Sequence, residues 1–541
     1  MACNKTVVLG VMISALAIGA AAQETVMLPL GDPSLAYQVG SATAGQFYDC
    51  AAGKGVDLQG AVERLAGARV VLIGEDHTNM DEKRVQAELL KALAGRMAHP
   101  VLGMEFFQRG DDAVLARWTS GELTGDDFLL TSGWYDRGGY NWVYYAPIMD
   151  AARELGMPVV GLNVDRSIPR TVNRKGLEGL SPEQKAEVGE VRTDNSPQHR
   201  FLIARYFGDT VALLPPAWFD RMYAAQCLWD VVMARSVLAK LPPDGTMIVL
   251  VGSGHVAYGL GIARRIHEEL ARKGQPDISV ATLVPVIAPA PEEGGEPHGH
   301  PMPGGGHGPG AGSGPPALFV RSLADVVAVF PNRGDVEEVP RLGLKLEEKD
   351  GAITVKRVWP ETASEEAGVA KGDVITDLNG FPAGDIHHFR LALARLRWGD
   401  RMDLRVQRDG KAVDCSVLLE PELETVTREV APGFKVEEAA ALDPASAEPV
   451  KAAVKPDPKA EVHRTLILKK DVPQRVEVRH GKVLTAVHVL DPKGHVVRSL
   501  YRDPLHDGTV EIEYHRDADG AVTSIVRRDR AGQTIPFQTT P

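Results

Sequence analysis

At 541 residues the chain exceeds what a single hydrophobic core can organise, and it is expected to fold as about three units. Its 60 Lys plus Arg against 72 Asp plus Glu leave a net charge of −12 with no basic run, which argues against a nucleic-acid partner. Four cysteines without a CxxC spacing supply neither a disulfide framework nor a thiolate metal site, although a Cys50 to Cys227 bridge stays open.

Residues 1–22 read as a secretory signal peptide. Lys5 precedes an apolar, small-residue run, and Ala20-Ala21-Ala22 before Gln23 suits cleavage. The run is short for a membrane span, so an exported, periplasmic chain without a stable transmembrane anchor is expected. Apolar runs of strand type then alternate with helical patterns: Arg69 to Ile73, Pro100 to Met104, Met157 to Leu162, Thr246 to Val251 and Ile278 to Val286. Near-continuous apolar strands separated by helices predict an α/β domain, over residues 56–290, with a largely parallel sheet covered on both faces.

Ligands of such sheets bind beyond the carboxyl ends of the strands. The predicted ends are unusually polar: Glu75-Asp76-His77 after Gly74, Glu105 after Met104, Asn163 with Asp165 and Arg166, and His255 after Gly252-Ser253-Gly254. Two G-x-x-H motifs on separate strands with a glutamate ending a third point to a site at that rim. Gln226 and Asp230 stand at i and i+4 on an otherwise apolar helix and are read as a pair facing it.

Residues 291–316, rich in Gly, Pro and His, form a solvated linker. Its His298, His300, Met302 and His307 are the residue types that capture soft metals or haem, although such runs are usually incidental. Residues 339–420 have strand runs at Leu342 to Leu346, Ile353 to Val358, Asp373 to Leu378 and Asp403 to Arg408, with one helix from about Ile386 to Leu396. A second linker spans 422–462. The tail, 463–541, shows strands at Arg475 to Arg479, Val496 to Tyr501, Thr509 to Tyr514 and Val522 to Arg527. Turn signals at Pro492-Lys493-Gly494 and Asp519-Gly520 make it a small all-β meander.

G-E-D-H-T-N, L-G-M-E-F-F-Q-R, P-V-V-G-L-N, A-A-Q-C-L-W-D-V-V-M-A and V-L-V-G-S-G-H-V-A-Y-G-L-G-I, in that order, resemble the ChaN family of haem-binding uptake proteins, within the Tiki/TraB/erythromycin-esterase group. The resemblance covers about Val56 to Ala290. Members anchored as lipoproteins carry a lipobox, whereas Cys3 here precedes the apolar run. The resemblance implies haem binding or, by analogy with the hydrolytic relatives, hydrolysis at His77, Glu105 and His255, with a divalent transition metal on the same three residues. For haem, an axial ligand and an apolar slot are needed. Gly133 to Tyr145 is the densest aromatic stretch and offers Tyr135, Tyr140, Tyr144 and Tyr145, with Arg137 for a propionate. Tyr258 is a further candidate ligand.

Residues Arg341-Leu342-Gly343-Leu344 and Ser364 to Asn379, containing A-G-V-A-K-G-D-V-I-T-D-L-N, resemble a bacterial PDZ domain. That implies capture of a protein C-terminus or peptide by backbone N–H groups at Arg341 to Leu344, the peptide adding as a strand. The first expectation is an exported haem or tetrapyrrole binding protein rather than an enzyme. The alternatives are a metal-dependent hydrolase or peptidase, and a cell-envelope scaffold.

Overall fold

The computed structural model describes residues 27–193, 196–206, 215–289 and 315–331, then 339–419 except 341, 361 and 398–399, and the strands of the tail with a few flanking residues. The expected signal peptide, His298, His300, Met302, His307, Arg341 and most of both linkers and tail turns lie outside the described residues.

In the first domain, β1 (Val39–Ala42) pairs with β9 (Ala317–Val320) as a two-stranded ribbon. The main sheet contains β2 (Phe47–Asp49), β3 (Lys54–Val56), β4 (Val70–Glu75), β5 (Pro100–Gln108), β6 (Val159–Asn163), β7 (Thr246–Gly252), β8 (Val280–Ile287) and β10 (Val326–Phe330). Their order is β3-β2-β10-β8-β4-β7-β5-β6, parallel from β10 through β6 and antiparallel at the β2 and β3 edge. The five predicted strands are β4, β5, β6, β7 and β8. The sheet reaches beyond the expected 56–290 span: β10, a fully buried V-V-A-V-F run, returns after the Gly/Pro stretch to pair with β8.

Alternation along the strands sorts two cores. Val71, Ile73, Leu102, Met104, Ile248 and Leu250 face one side, under helices that include Met80–Ala94 and Ala146–Glu154. Val70, Leu72, Val101, Met247, Val249 and Val251 face the other, under Pro216–Lys240 and Ile262–Arg272. Because successive side chains point to opposite faces and both faces are covered, nearly every position of β4 and β7 is apolar.

The second domain is a six-stranded sheet of β11 (Leu344–Lys349), β12 (Ala352–Val358), β13 (Val374–Leu378), β14 (Phe381–Pro382), β15 (Arg401–Arg408) and β16 (Lys411–Leu418). Its helix Ile386–Ala394 is capped by Asp385 and packs Ile386, Phe389 and Leu393 on the core. β11 stands at the sheet edge. β16 was not among the predicted strands, because Lys411, Asp414 and Ser416 dilute an alternation carried by Val413, Cys415 and Val417.

The tail is the expected meander, β18 (Val462–Lys469), β19 (Val472–His480), β20 (Val483–Leu490), β21 (Val496–Tyr501), β22 (Val510–Arg516) and β23 (Val522–Arg528), antiparallel throughout. A strand inside the expected second linker, β17 (Phe434–Glu438), adds in parallel to β18. Cys50, Cys227 and Cys415 are buried and free, so the open Cys50 to Cys227 bridge is not formed.

One buried ion pair fixes the end of β4. The side chains of Glu75 and of Lys83, on the Met80–Ala94 helix, are both fully buried and salt-bridged. Burial works against the Glu75 charge, but Lys83 and His77 outweigh it and hold the carboxyl at about 2. Removing one partner of such a pair leaves an uncompensated buried charge, which costs roughly 3–5 kcal/mol. Lys83→Met is therefore expected to lower stability by about that amount at neutral pH. The folded-state carboxyl lies below its ordinary 4.5, so this stabilisation is fully present above that value and fades as pH falls toward 2. Urea unfolding of both proteins across that window checks this; a deficit independent of pH would show that Glu75 is not the linked group.

Candidate functional site

The carboxyl ends of β4, β5 and β7 converge on one rim. Glu75 Oε1 lies 3.0 Å from Nδ1 of His77 and accepts from the Tyr145 hydroxyl at 2.7 Å. One carboxylate thus holds a lysine, a tyrosine and the imidazole. With Nδ1 engaged, the Nε2 edge of His77 turns toward Gly252. A Cβ there would sit 2.9 Å from His77 Cε1 and 3.6 Å from Glu105 Oε2. Glycine ending β7 is a condition for placing the histidine.

β5 runs on past its predicted end to Gln108, with its pairing to β6 interrupted between Met104 and Gln108. That irregularity carries Glu105, whose Oε2 accepts from the Gly252 N–H at 2.8 Å and whose Oε1 lies 3.8 Å from Nε2 of His255. His255 is buried, and its Nδ1 lies 2.6 Å from Asp230 Oδ1 and 2.9 Å from Gln226 Nε2. The i, i+4 pair thus meets the second histidine. Burial disfavours a charged ring, yet Asp230 and Glu105 outweigh it and raise the His255 pKa. Behind Asp230, buried His199 stands 3.3 Å from Oδ2 and 3.2 Å from the Tyr223 hydroxyl. Sequence reasoning passed over His199, because nothing in P-Q-H-R-F distinguishes it from an exposed helical histidine.

The arrangement is two imidazoles, each backed by a carboxylate on Nδ1, on either side of Glu105. Such backing fixes the tautomer and leaves Nε2 as the basic, metal-binding or proton-accepting atom. Among the described residues no group of three or more His, Cys, Asp or Glu stands close enough to hold a metal ion.

The aromatic segment packs over the His77 side of this rim. The Tyr140 ring lies 4.9 Å from that of His77, and Phe106 meets both edge-on at 5.1 and 5.6 Å. Trp134 and Tyr145 close the cluster from beneath, 5.3 Å apart. The predicted tyrosines differ in availability. The Tyr135 hydroxyl accepts from the Trp142 N–H and that of Tyr145 is spent on Glu75. Tyr144 is buried in the core, and Tyr258 is buried in the opposite core, bonded to the backbone of Leu28. The half-buried Tyr140 ring meets His77, Phe106 and Tyr145, and among the described residues no side-chain hydrogen bond holds its hydroxyl; burial pushes that phenol up to about 12. Arg137 pairs with Asp111, while Arg166 holds the backbone carbonyls of Arg137 and Gly138 and so shapes the loop. Phe106, next to the expected Glu105, is a further wall residue.

In the second domain Leu342, Gly343 and Leu344 lie at the start of the edge strand. Gly343 has φ +72°, and a Cβ there would fall 2.0 Å from Thr362 Oγ1. Only glycine suits that loop.

Residues 61–266 match the family described as haem-binding uptake, Tiki superfamily, ChaN. Residues 340–419 match the PDZ domain family. The chain is similar to Protein RETICULATA-RELATED 5, chloroplastic, of Arabidopsis thaliana, 22% identical over 240 residues, which are 41% of this chain and 32% of that protein. It is also similar to the periplasmic serine endoprotease DegP of Escherichia coli (strain K12), 34% identical over 77 residues, 14% of this chain and 16% of that protein. The chain thus spans a third or less of the length of these relatives. A solved structure described as cofacial heme binding to ChaN of Campylobacter jejuni aligns with 52% of this chain and 95% of its own, at 16% identity and a TM-score of 0.39. The α/β domain thus matches the ChaN family of the Tiki superfamily over residues 61–266, and the domain behind it matches the PDZ family.

Proposed function

We propose that this chain is an exported, periplasmic protein that binds haem or a related iron tetrapyrrole at the β4/β5/β7 rim, while its PDZ domain recruits a protein C-terminus. The observation that carries the reading is the Tyr140 ring lying tilted over His77 at 4.9 Å within an aromatic wall. Both side chains are accepted axial ligands of haem iron, and Phe106 and Tyr140 supply apolar surface beside them. The gap between Phe106, Trp134, Arg137 and Arg166 holds only about 10 Å³. That gap is too small to hold a tetrapyrrole, so the ligand would have to lie against His77 and Tyr140 outside it. Haem, if bound, would be held by His77 and Tyr140 and would supply an iron centre. The chain's own part is to hold His77 in one tautomer through Glu75 and to present Tyr140 beside it. No helix among the described residues is long and apolar enough to cross a membrane.

Haemin titration of the full chain is expected to give a saturable Soret shift that weakens at least tenfold in Tyr140→Phe or His77→Ala, about 1.4 kcal/mol or more. An unchanged titration in both variants would remove the rim as the haem site.

The PDZ part is tested separately. Peptides with a free C-terminal carboxylate should bind more tightly than their amides, and Gly343→Val should abolish binding while circular dichroism stays native-like. Equal binding of amidated peptides would exclude carboxylate capture.

A second reading, hydrolysis at His77, Glu105 and His255, is favoured by one observation: both histidines are backed by buried carboxylates and flank Glu105. Such a pair can activate water directly as a general base. Ester or peptide hydrolysis by the purified chain should then fall by about 10²-fold or more in His255→Ala. Turnover equal in the variant and the parent would end this reading.

A further inference from the structure

One face of the PDZ helix Ile386–Ala394, bearing His387, Arg390 and Leu391, is turned onto the aromatic segment of the first domain. Asp136, in the loop between Gly133 and Gly138, is held by two residues one turn apart on that helix. Nδ1 of His387 lies 2.5 Å from Asp136 Oδ2, and the Arg390 guanidinium donates to Oδ1 at 2.6 Å. The other amino group of Arg390 stands 3.5 Å from the Leu346 carbonyl of β11. Around this contact Leu391 is buried with the core residues of the first domain, Asn141 donates to the Ala394 carbonyl at 2.9 Å, and Arg395 pairs with Asp126.

β11 is the edge strand of the PDZ sheet, and Ile386–Ala394 packs across from it. A peptide entering a PDZ domain adds to that edge, in the channel between strand and helix. Arg390 spans this channel, with one end on β11 and the other on Asp136 of the neighbouring domain. A carboxylate of the first domain thus meets the channel-spanning Arg390 and its helix neighbour His387.

We propose that Asp136 occupies, in cis, a subsite of the PDZ groove made by His387 and Arg390 for an acidic side chain, so that an acidic C-terminal peptide and the aromatic loop compete for the PDZ helix. The inference rests on the PDZ domain being a carboxyl-terminal peptide binder. It goes beyond that reading by assigning the partner's chemistry and a consequence. Peptide entry releases the loop that places Tyr140 over His77, so the two domains report on each other. The competition is a matter of populations: affinity measured on the whole chain is the intrinsic affinity reduced by the undocked fraction.

The test uses the full chain and fluorescein-labelled decapeptides ending in valine, with Asp or Asn at each of the three preceding positions in turn, read by fluorescence anisotropy. At one position the Asp peptide should bind more tightly than its Asn counterpart. Asp136→Ala, and the isosteric Asp136→Asn, should raise affinity for that peptide about tenfold by removing the internal competitor. Arg390→Gln should erase the preference for Asp over Asn. Peptide addition should also change the emission of Trp134 and Trp142 in the parent protein. Free-carboxylate peptides that bind the parent and both Asp136 variants with one affinity would overturn the inference and leave the PDZ reading intact. Failure of every peptide to bind the parent and the variants alike would overturn both.

Discussion

The rim depends on the buried carboxylate of Glu75. It terminates β4, neutralises Lys83 from the next helix, accepts from Tyr145 at the start of another, and orients His77. A carboxylate in an apolar environment is tolerated only when charge and hydrogen bonds satisfy its oxygens. Here the groups that satisfy it are also those that build the site. Lys83 lies 4.7 Å from the centre of the Tyr145 ring as well, so the same cation supports the aromatic wall.

A second carboxylate plays the matching part on the other side of Glu105. Asp230 comes from a long helix packed across the sheet face, and it reaches His255 only because β7 ends in a tight glycine-containing turn. The two histidines are therefore positioned from opposite layers of the sandwich. Glu105 sits between them at an interruption in the β5 to β6 pairing, held by the backbone of Gly252. Irregular pairing of this kind re-aims side chains at the ends of sheets.

The contact between the domains falls on the least regular part of the site, the loop from Gly133 to Tyr140. Loops carry function because a rigid scaffold presents them while their own backbone stays adaptable. In this chain the scaffold for the loop is shared between Arg166 of the first domain and the PDZ helix. The aromatic rim and the PDZ helix are therefore neighbours in mechanical terms, although two hundred and more positions separate them along the chain, as from Asp136 to His387.

Much of this protein follows from its sequence alone. The five buried strands were legible because both faces of a parallel sheet are covered and the runs are therefore apolar throughout, as in Val70 to Ile73. The strand-end clustering of His77, Glu105 and His255 followed from the rule that such sheets bind at their carboxyl ends. The i, i+4 spacing of Gln226 and Asp230 puts them on one face, the face that meets His255. Partner identity was beyond sequence, since long-range pairs have no local signature. Tyr135, Tyr140, Tyr144 and Tyr145 are alike as letters, and only packing sets the Tyr140 ring over His77 while it spends the phenol of Tyr145 on Glu75. The return of β10 across the Gly/Pro linker and the seat of Asp136 between His387 and Arg390 were likewise decided by tertiary structure. Burial and charge neutralisation act between neighbours in space, and the order of residues along a chain does not record who those neighbours are.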